Sequence, residues 1–143
     1  MSRRYRFRLA AVLRVRQAEE GQAAEALRRA NTRVRELLAV RDEEAARYRS
    51  LAVTSGPMTA TELRQERATA ALVADTVAAA DQAAMTAAAN AALAQVAWSE
   101  AARRVTVLER LDERRRAEHA DDERRAEITE VDDLVTARHG VPA

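Results

Sequence analysis

From Leu63 to Leu108 the chain carries a seven-residue repeat that limits what it can become. Positions 63, 70, 77, 84, 91, 98 and 105 read Leu, Ala, Val, Ala, Ala, Trp, Val. The interleaved positions 73, 80, 87, 94, 101 and 108 read Val, Ala, Ala, Ala, Ala, Leu. Apolar residues recurring every 3.5 positions place one stripe of a helix against a partner and call for a left-handed supercoil. Glu66 is a break near the start, and no glycine or proline interrupts the run. The stretch reads as half of a coiled coil.

The other half must come from the remaining sequence, and the composition shows what kind it can be. Aromatics make up 3% of the residues and charged residues 33%, with three glycines and two prolines. Large apolar side chains are too scarce for a rounded core, so an elongated all-α molecule is expected. The net charge of +1 makes the whole chain neither polycation nor polyanion. With no cysteine there is neither a disulfide framework nor a thiolate metal site. No apolar run reaches the ~20 residues that span a bilayer, and the basic start lacks the apolar stretch of a secretory signal. A cytoplasmic location is the expectation.

Helix 1 is expected from about residue 5 to 52, a turn over 53–58, and helix 2 from about 59 to 138, all in one coiled-coil domain spanning 1–143. Leu13, Ala24, Leu27, Val34, Leu38, Ala45, Tyr48 and Ala52 form the seam of the first helix, interrupted by Gln17, Glu20, Asn31 and Arg41. Polar seam residues weaken a coiled coil but help fix its register. Gly21 costs roughly 1 kcal/mol against Ala in a helix interior, so bending is expected there. Gly56-Pro57 stops the first helix. Thr59 and Glu62 then supply a capping box for the second. A tight turn predicts antiparallel pairing with the helix ends level, setting Val34 near Val77, Leu27 near Ala84 and Leu13 near Trp98. Large residues opposite alanine permit close helix approach. An alanine methyl contributes only about 0.8 kcal/mol on burial, so the monomer is expected to be marginal and to melt well below about 90 °C.

At ~1.5 Å per residue the first helix is about 70 Å long and the second about 120 Å. The second helix therefore overhangs at its C-terminal end, from near Leu111. Residues 112–127 contain no aliphatic side chain larger than Ala, and then Ile128, Val131, Leu134 and Val135 form a short apolar stripe. A helix of this character with nothing in its own chain to pack on suggests another protein's surface.

Catalysis needs a concave site with convergent polar groups, and two helices side by side do not make one. The expectation is a non-enzyme with no cofactor and no metal. His119 with Glu118, Asp122 or Glu123 reads as solvated helix charge rather than a ligand set. Trp98 sits at a seam position and reads as core packing. Residues 1–16 carry six arginines and no acid, and in Arg3-Arg4-Tyr5-Arg6-Phe7-Arg8 the arginines alternate with aromatics. Such a run can neutralise phosphates and stack on bases or sit on anionic lipid. Without a second basic module, a protein-facing or solvated helix start is favoured over nucleic acid or membrane.

Phe7 to Arg16, Arg47-Tyr48-Arg49-Ser50, the Gly-containing break, the Leu63, Val73, Val77 spacing, Trp98 to Arg114 and Glu123 to Arg138 together resemble the FliJ family of flagellar type III export. The resemblance spans nearly the whole chain. It implies an antiparallel coiled-coil hairpin that acts as the stalk of a hexameric export ATPase, promotes assembly of the ring, and links it to the membrane export gate and to export chaperones. Membrane association would come only through partners, and the chain is expected to be a monomer that binds no nucleic acid. The paired ends would face the ATPase, through Arg3, Arg4, Arg6, Phe7, Arg8, Leu9 and Leu13 with Arg114, Arg115 and Arg116. Thr69, Val73, Thr76 and Ala80 correspond to the gate-binding stretch, where only Val73 keeps the family's larger apolar character. The alternatives are the stalk of a virulence secretion system and a nucleic-acid-binding coiled coil that uses the N-terminal arginines.

Overall fold

The computed structural model describes residues 4–51 and 56–140. The fold is all-α: α1 spans Ala10–Leu51 and α2 spans Ala60–His139, with no strand among the described residues. The chain divides into two compact units, Gly21–Glu100 and Met1–Glu20 with Ala101–Ala143.

Within Gly21–Glu100, α1 and α2 form an antiparallel helical hairpin. Every seam position of α2 from Ala70 to Trp98 is buried or half-buried, with Ala84, Ala87 and Ala91 at the centre. On α1 the half-buried residues include Ala24, Leu27, Val34, Leu38 and Ala45. Of the expected seam, Tyr48 is exposed and Ala52 lies outside the described residues. No described α1 residue is fully buried. Among the described residues of this unit, small alanines thus form the only closed layer, which is what close approach with little apolar area requires. α1 continues through Gly21 without a break.

The capping box forms as the sequence indicates. The Thr59 amide donates to Glu62 Oε2 at 2.8 Å, and the Glu62 amide lies 3.3 Å from Thr59 Oγ1. The Thr59 amide, and after it the Thr59 hydroxyl, hold the Glu62 carboxyl below its usual range, because both favour the ionised form that accepts from them.

The register differs from that expected. Arg41 Nη1 reaches Asp81 Oδ1 at 3.7 Å, whereas helix ends set level would put Ala70 opposite Arg41. The slide is about ten residues, or roughly 15 Å along the axis. Its consequence is visible at the start of α2, where residues 59–69 are exposed throughout and Leu63 lies outside the packed seam. Two causes operate. Eight residues separate the helices, more than a tight turn needs, and both rows of the α2 seam are apolar and mostly alanine, so α1 finds a similar apolar surface at more than one position along it.

In the unit made of Met1–Glu20 and Ala101–Ala143, the packed residues of α2 are Ala101 and Val105. Here α1 starts at Ala10 rather than near residue 5. Arg4 to Phe7 have no regular structure, and a turn at Arg8 and Leu9 leads into the helix, with the Ala10 amide donating to the Phe7 carbonyl at 3.2 Å.

Candidate functional site: the N-terminal arm on α2

Residues 4–9 form an arm that lies on α2. Burial along it alternates: Tyr5 and Phe7 are half-buried, while Arg4, Arg6 and Arg8 are exposed. A period of two is the signature of extended backbone, in which neighbouring side chains take opposite faces.

The inward residue Tyr5 is held by three α2 side chains. Its hydroxyl donates to Asp112 Oδ1 at 2.7 Å, with the Asp112 carbonyl oxygen 3.3 Å away. Its ring meets His119 edge-on at 5.6 Å between centroids, and the Arg116 guanidinium stands 5.6 Å from its centroid. Arg116 is itself fixed to Asp112 Oδ2 at 3.1 Å, and His119 Nδ1 lies 3.8 Å from Glu123. Loss of hydration raises the Tyr5 hydroxyl above its ordinary value, and the bond to the Asp112 carboxylate adds to the shift, since a phenolate there would face a like charge. Tyr5 is therefore a neutral donor across the physiological range.

The seam explains this placement. Asp112 and His119 stand one and two heptads beyond Val105 and are half-buried like the seam before them. The apolar stripe becomes polar there, and a tyrosine, apolar in body and polar at its tip, suits such a surface. Reading the arginine run as the start of a helix concealed this; continuing the heptad frame to 112 and 119 would have located it.

The arm also shortens the bare overhang. Four residues, Arg4 to Phe7, at ~3.3 Å each cover about 13 Å, the length of about 9 helical residues, before the turn at Arg8 and Leu9. Arg4 to Leu9 accordingly line an open cavity of about 880 Å³ together with Leu111, Arg115, Glu118, His119 and Asp122. α2 is exposed throughout only from Arg124 onward, not from Leu111. Ile128, Val131, Leu134 and Val135 remain in that bare segment.

The expected ATPase-facing residues fall into groups. Arg3 lies outside the described residues. Arg4, Arg6, Phe7, Arg8, Leu9 and Arg115 share the cavity wall, with Arg115 also paired to Glu118 at 3.0 Å. Arg114 is exposed, Arg116 is committed to Tyr5 and Asp112, and Leu13 is half-buried on α1. Among the described residues, Arg4, Arg6 and Arg8 make no ion pair.

The expected gate-facing residues do not share one exposed face. Thr69 and Thr76 are exposed, and their hydroxyls donate to the carbonyls of Gln65 and Leu72 one turn back, at 2.9 and 3.0 Å. Val73 and Ala80 are half-buried in the seam. α2 instead exposes Leu72, Met85, Leu93 and Val96. Among the described residues no group of three or more His, Cys, Asp or Glu could hold a metal ion, and no helix is long and apolar enough to cross a membrane.

An all-α hairpin of two long helices, with a basic arm lying on the longer one, defines a coiled-coil protein. The family model described as Flagellar FliJ protein matches residues 5–142, nearly the whole chain, and the chain belongs to that family. It is a coiled-coil protein of flagellar export. No curated protein and no solved structure matches it.

Proposed function

We propose that this chain is the non-enzymatic stalk of the flagellar export apparatus. It binds the hexameric export ATPase, promotes assembly and activity of the ring, and couples it to the membrane export gate and the export chaperones. In this reading it works as one coiled-coil domain and as a monomer, at the cytoplasmic face of the membrane, held there by its partners.

The observation that carries the reading is the arm. Arg4, Arg6 and Arg8 are exposed and make no ion pair among the described residues, and they share a cavity wall with Arg115 of α2. Such a cluster suits carboxylates lining a ring, which arginine can bind bidentately. The nucleic-acid reading needs free aromatic faces for stacking, and the Tyr5 ring is already engaged by His119 and Arg116. The matched family is the flagellar one, which favours it over a virulence system.

Co-purification with the cognate hexameric ATPase tests the assignment. Reversing the charge of Arg4, Arg6 and Arg8 together with Arg114 to Arg116 should abolish stimulation of the ATPase; unchanged stimulation rejects the contact. Deletion should abolish motility, as a flagellar rather than a virulence role requires.

A further inference from the structure

The arm has three properties that a solvated basic tail does not need. Its inward side chain is clamped, with Tyr5 held by Asp112, Arg116 and His119. Its outward side chains are Arg4 and Arg6, with Arg8 following in the turn, all exposed and without an ion pair among the described residues. Its backbone is open: apart from the Ala10 amide on the Phe7 carbonyl and the Leu13 amide on the Leu9 carbonyl, no backbone hydrogen bond of residues 4–9 is present among the described residues.

An extended segment that lies on a helix with side chains alternately toward and away from it directs its amides and carbonyls sideways. Those groups form an unpaired strand edge, the template for addition of a strand from another chain. A strand placed beside the arm would also lie on α2. Its outward side chains would stand opposite the arginines, with Cβ atoms about 4.5–5.5 Å apart as in any cross-strand pair. Its inward side chains would enter the open cavity of about 880 Å³ that the arm shares with Leu111, Arg115, Glu118, His119 and Asp122. That volume lies within the ~300–1,000 Å³ of ordinary ligand sites.

We propose that the arm is a strand-addition site for an extended acidic segment of a partner protein, with carboxylates at alternate positions opposite Arg4 and Arg6 and small apolar residues between them turned toward α2. The spacing gives the selectivity. Alternate residues of a strand are about 6.6–6.8 Å apart, matching arginines on the same period. Glutamates three apart along an extended strand fall on opposite faces and do not present that spacing. The inference rests on the arm being a protein contact, as in the stalk reading, and adds the conformation and the sequence pattern of what it contacts.

The test uses the full chain, isotopically labelled, and three probes: a seven-residue peptide Thr-Glu-Val-Glu-Thr-Glu-Val, a peptide of the same composition with its glutamates three apart, Glu-Thr-Val-Glu-Val-Thr-Glu, and oligo-deoxythymidine. The alternating peptide should bind, slow amide exchange within residues 4–7, and bind about tenfold more tightly than the peptide with its glutamates three apart. Arg4→Gln with Arg6→Gln should weaken it by about tenfold or more, while the Tyr5 ring signals stay unchanged and show the arm still docked. Equal binding of both peptides without amide protection would reduce the site to unspecific charge attraction and overturn the proposal. So would tighter binding of the oligonucleotide to the same arginines. If the double variant loses ATPase stimulation while the alternating peptide never protects the arm, strand addition falls and the stalk reading stands. If protection is seen and the variant still stimulates the ATPase fully, the strand site stands and its assignment to the ATPase falls.

Discussion

The Tyr5 hydroxyl donates to the carboxylate of Asp112 at 2.7 Å across 107 positions of sequence. This bond ties a non-helical arm to the longer helix and turns a run of arginines outward. Because the Tyr5 hydroxyl is raised above its ordinary value of about 10 by loss of hydration and by Asp112, its contribution to docking is complete below about pH 10. It is lost as pH rises through the higher folded value. Tyrosine absorbance and arm amide exchange followed from pH 8 to 12 should show release only at the alkaline end. Tyr5→Phe should remove that transition and speed tryptic cleavage at Arg6 and Arg8 several-fold at neutral pH.

Arg41 and Asp81 set the second measurable relation, the register of the hairpin. The chain has no native cysteine to interfere. With Arg41 level with α2 near residue 81, Val34→Cys should form a disulfide with Ala87→Cys under mild oxidation and not with Val77→Cys. The reverse result would restore the register with the helix ends level.

Packing at the seam centre predicts a contrast between two alanines. Ala84 is 3% exposed, and a leucine there must push the helices apart, at a cost of about 1–3 kcal/mol. Ala89 is exposed, and Ala89→Leu should change stability by less than about 0.5 kcal/mol. Urea titrations of the two variants decide the matter. Similar losses would mean that the outer face of α2 is packed as well.

A methyl group built on Gly21 meets nothing within 4 Å. Gly21→Ala should therefore stabilise the chain by roughly 0.5–1 kcal/mol through the lower entropy of its unfolded state. A raised denaturation midpoint with unchanged slope is the expected reading. A loss of stability would mean that the helix relies on bending there.

Removing the cap with Thr59→Ala should cost about 0.5–2 kcal/mol and fray the first turn of α2. Since the Glu62 carboxyl is held below its usual range, its share of the cap is present above about pH 4.3. That share is lost as the pH falls through the lower folded value. Carbon chemical shifts of residues 60–63 followed from pH 7 to 2 should show the fraying in the parent chain, and Thr59→Ala should flatten that dependence.

The sequence by itself determined what is local or periodic. The heptad from Ala70 to Leu108 is buried or half-buried position by position, because which face of a helix is apolar follows from spacing alone. The Thr59–Glu62 box was legible because both partners lie within one turn. Only the tertiary structure decided the relations between distant segments. A seam whose two rows are both apolar fixes the facing stripe but not how far one helix slides along the other, and Arg41 reaching Asp81 settles that. The arm was hidden for a related reason. Arginines, a tyrosine and a phenylalanine suit a helix as well as an extended segment. What holds Tyr5 non-helical is Asp112, Arg116 and His119, which only the fold brings near it.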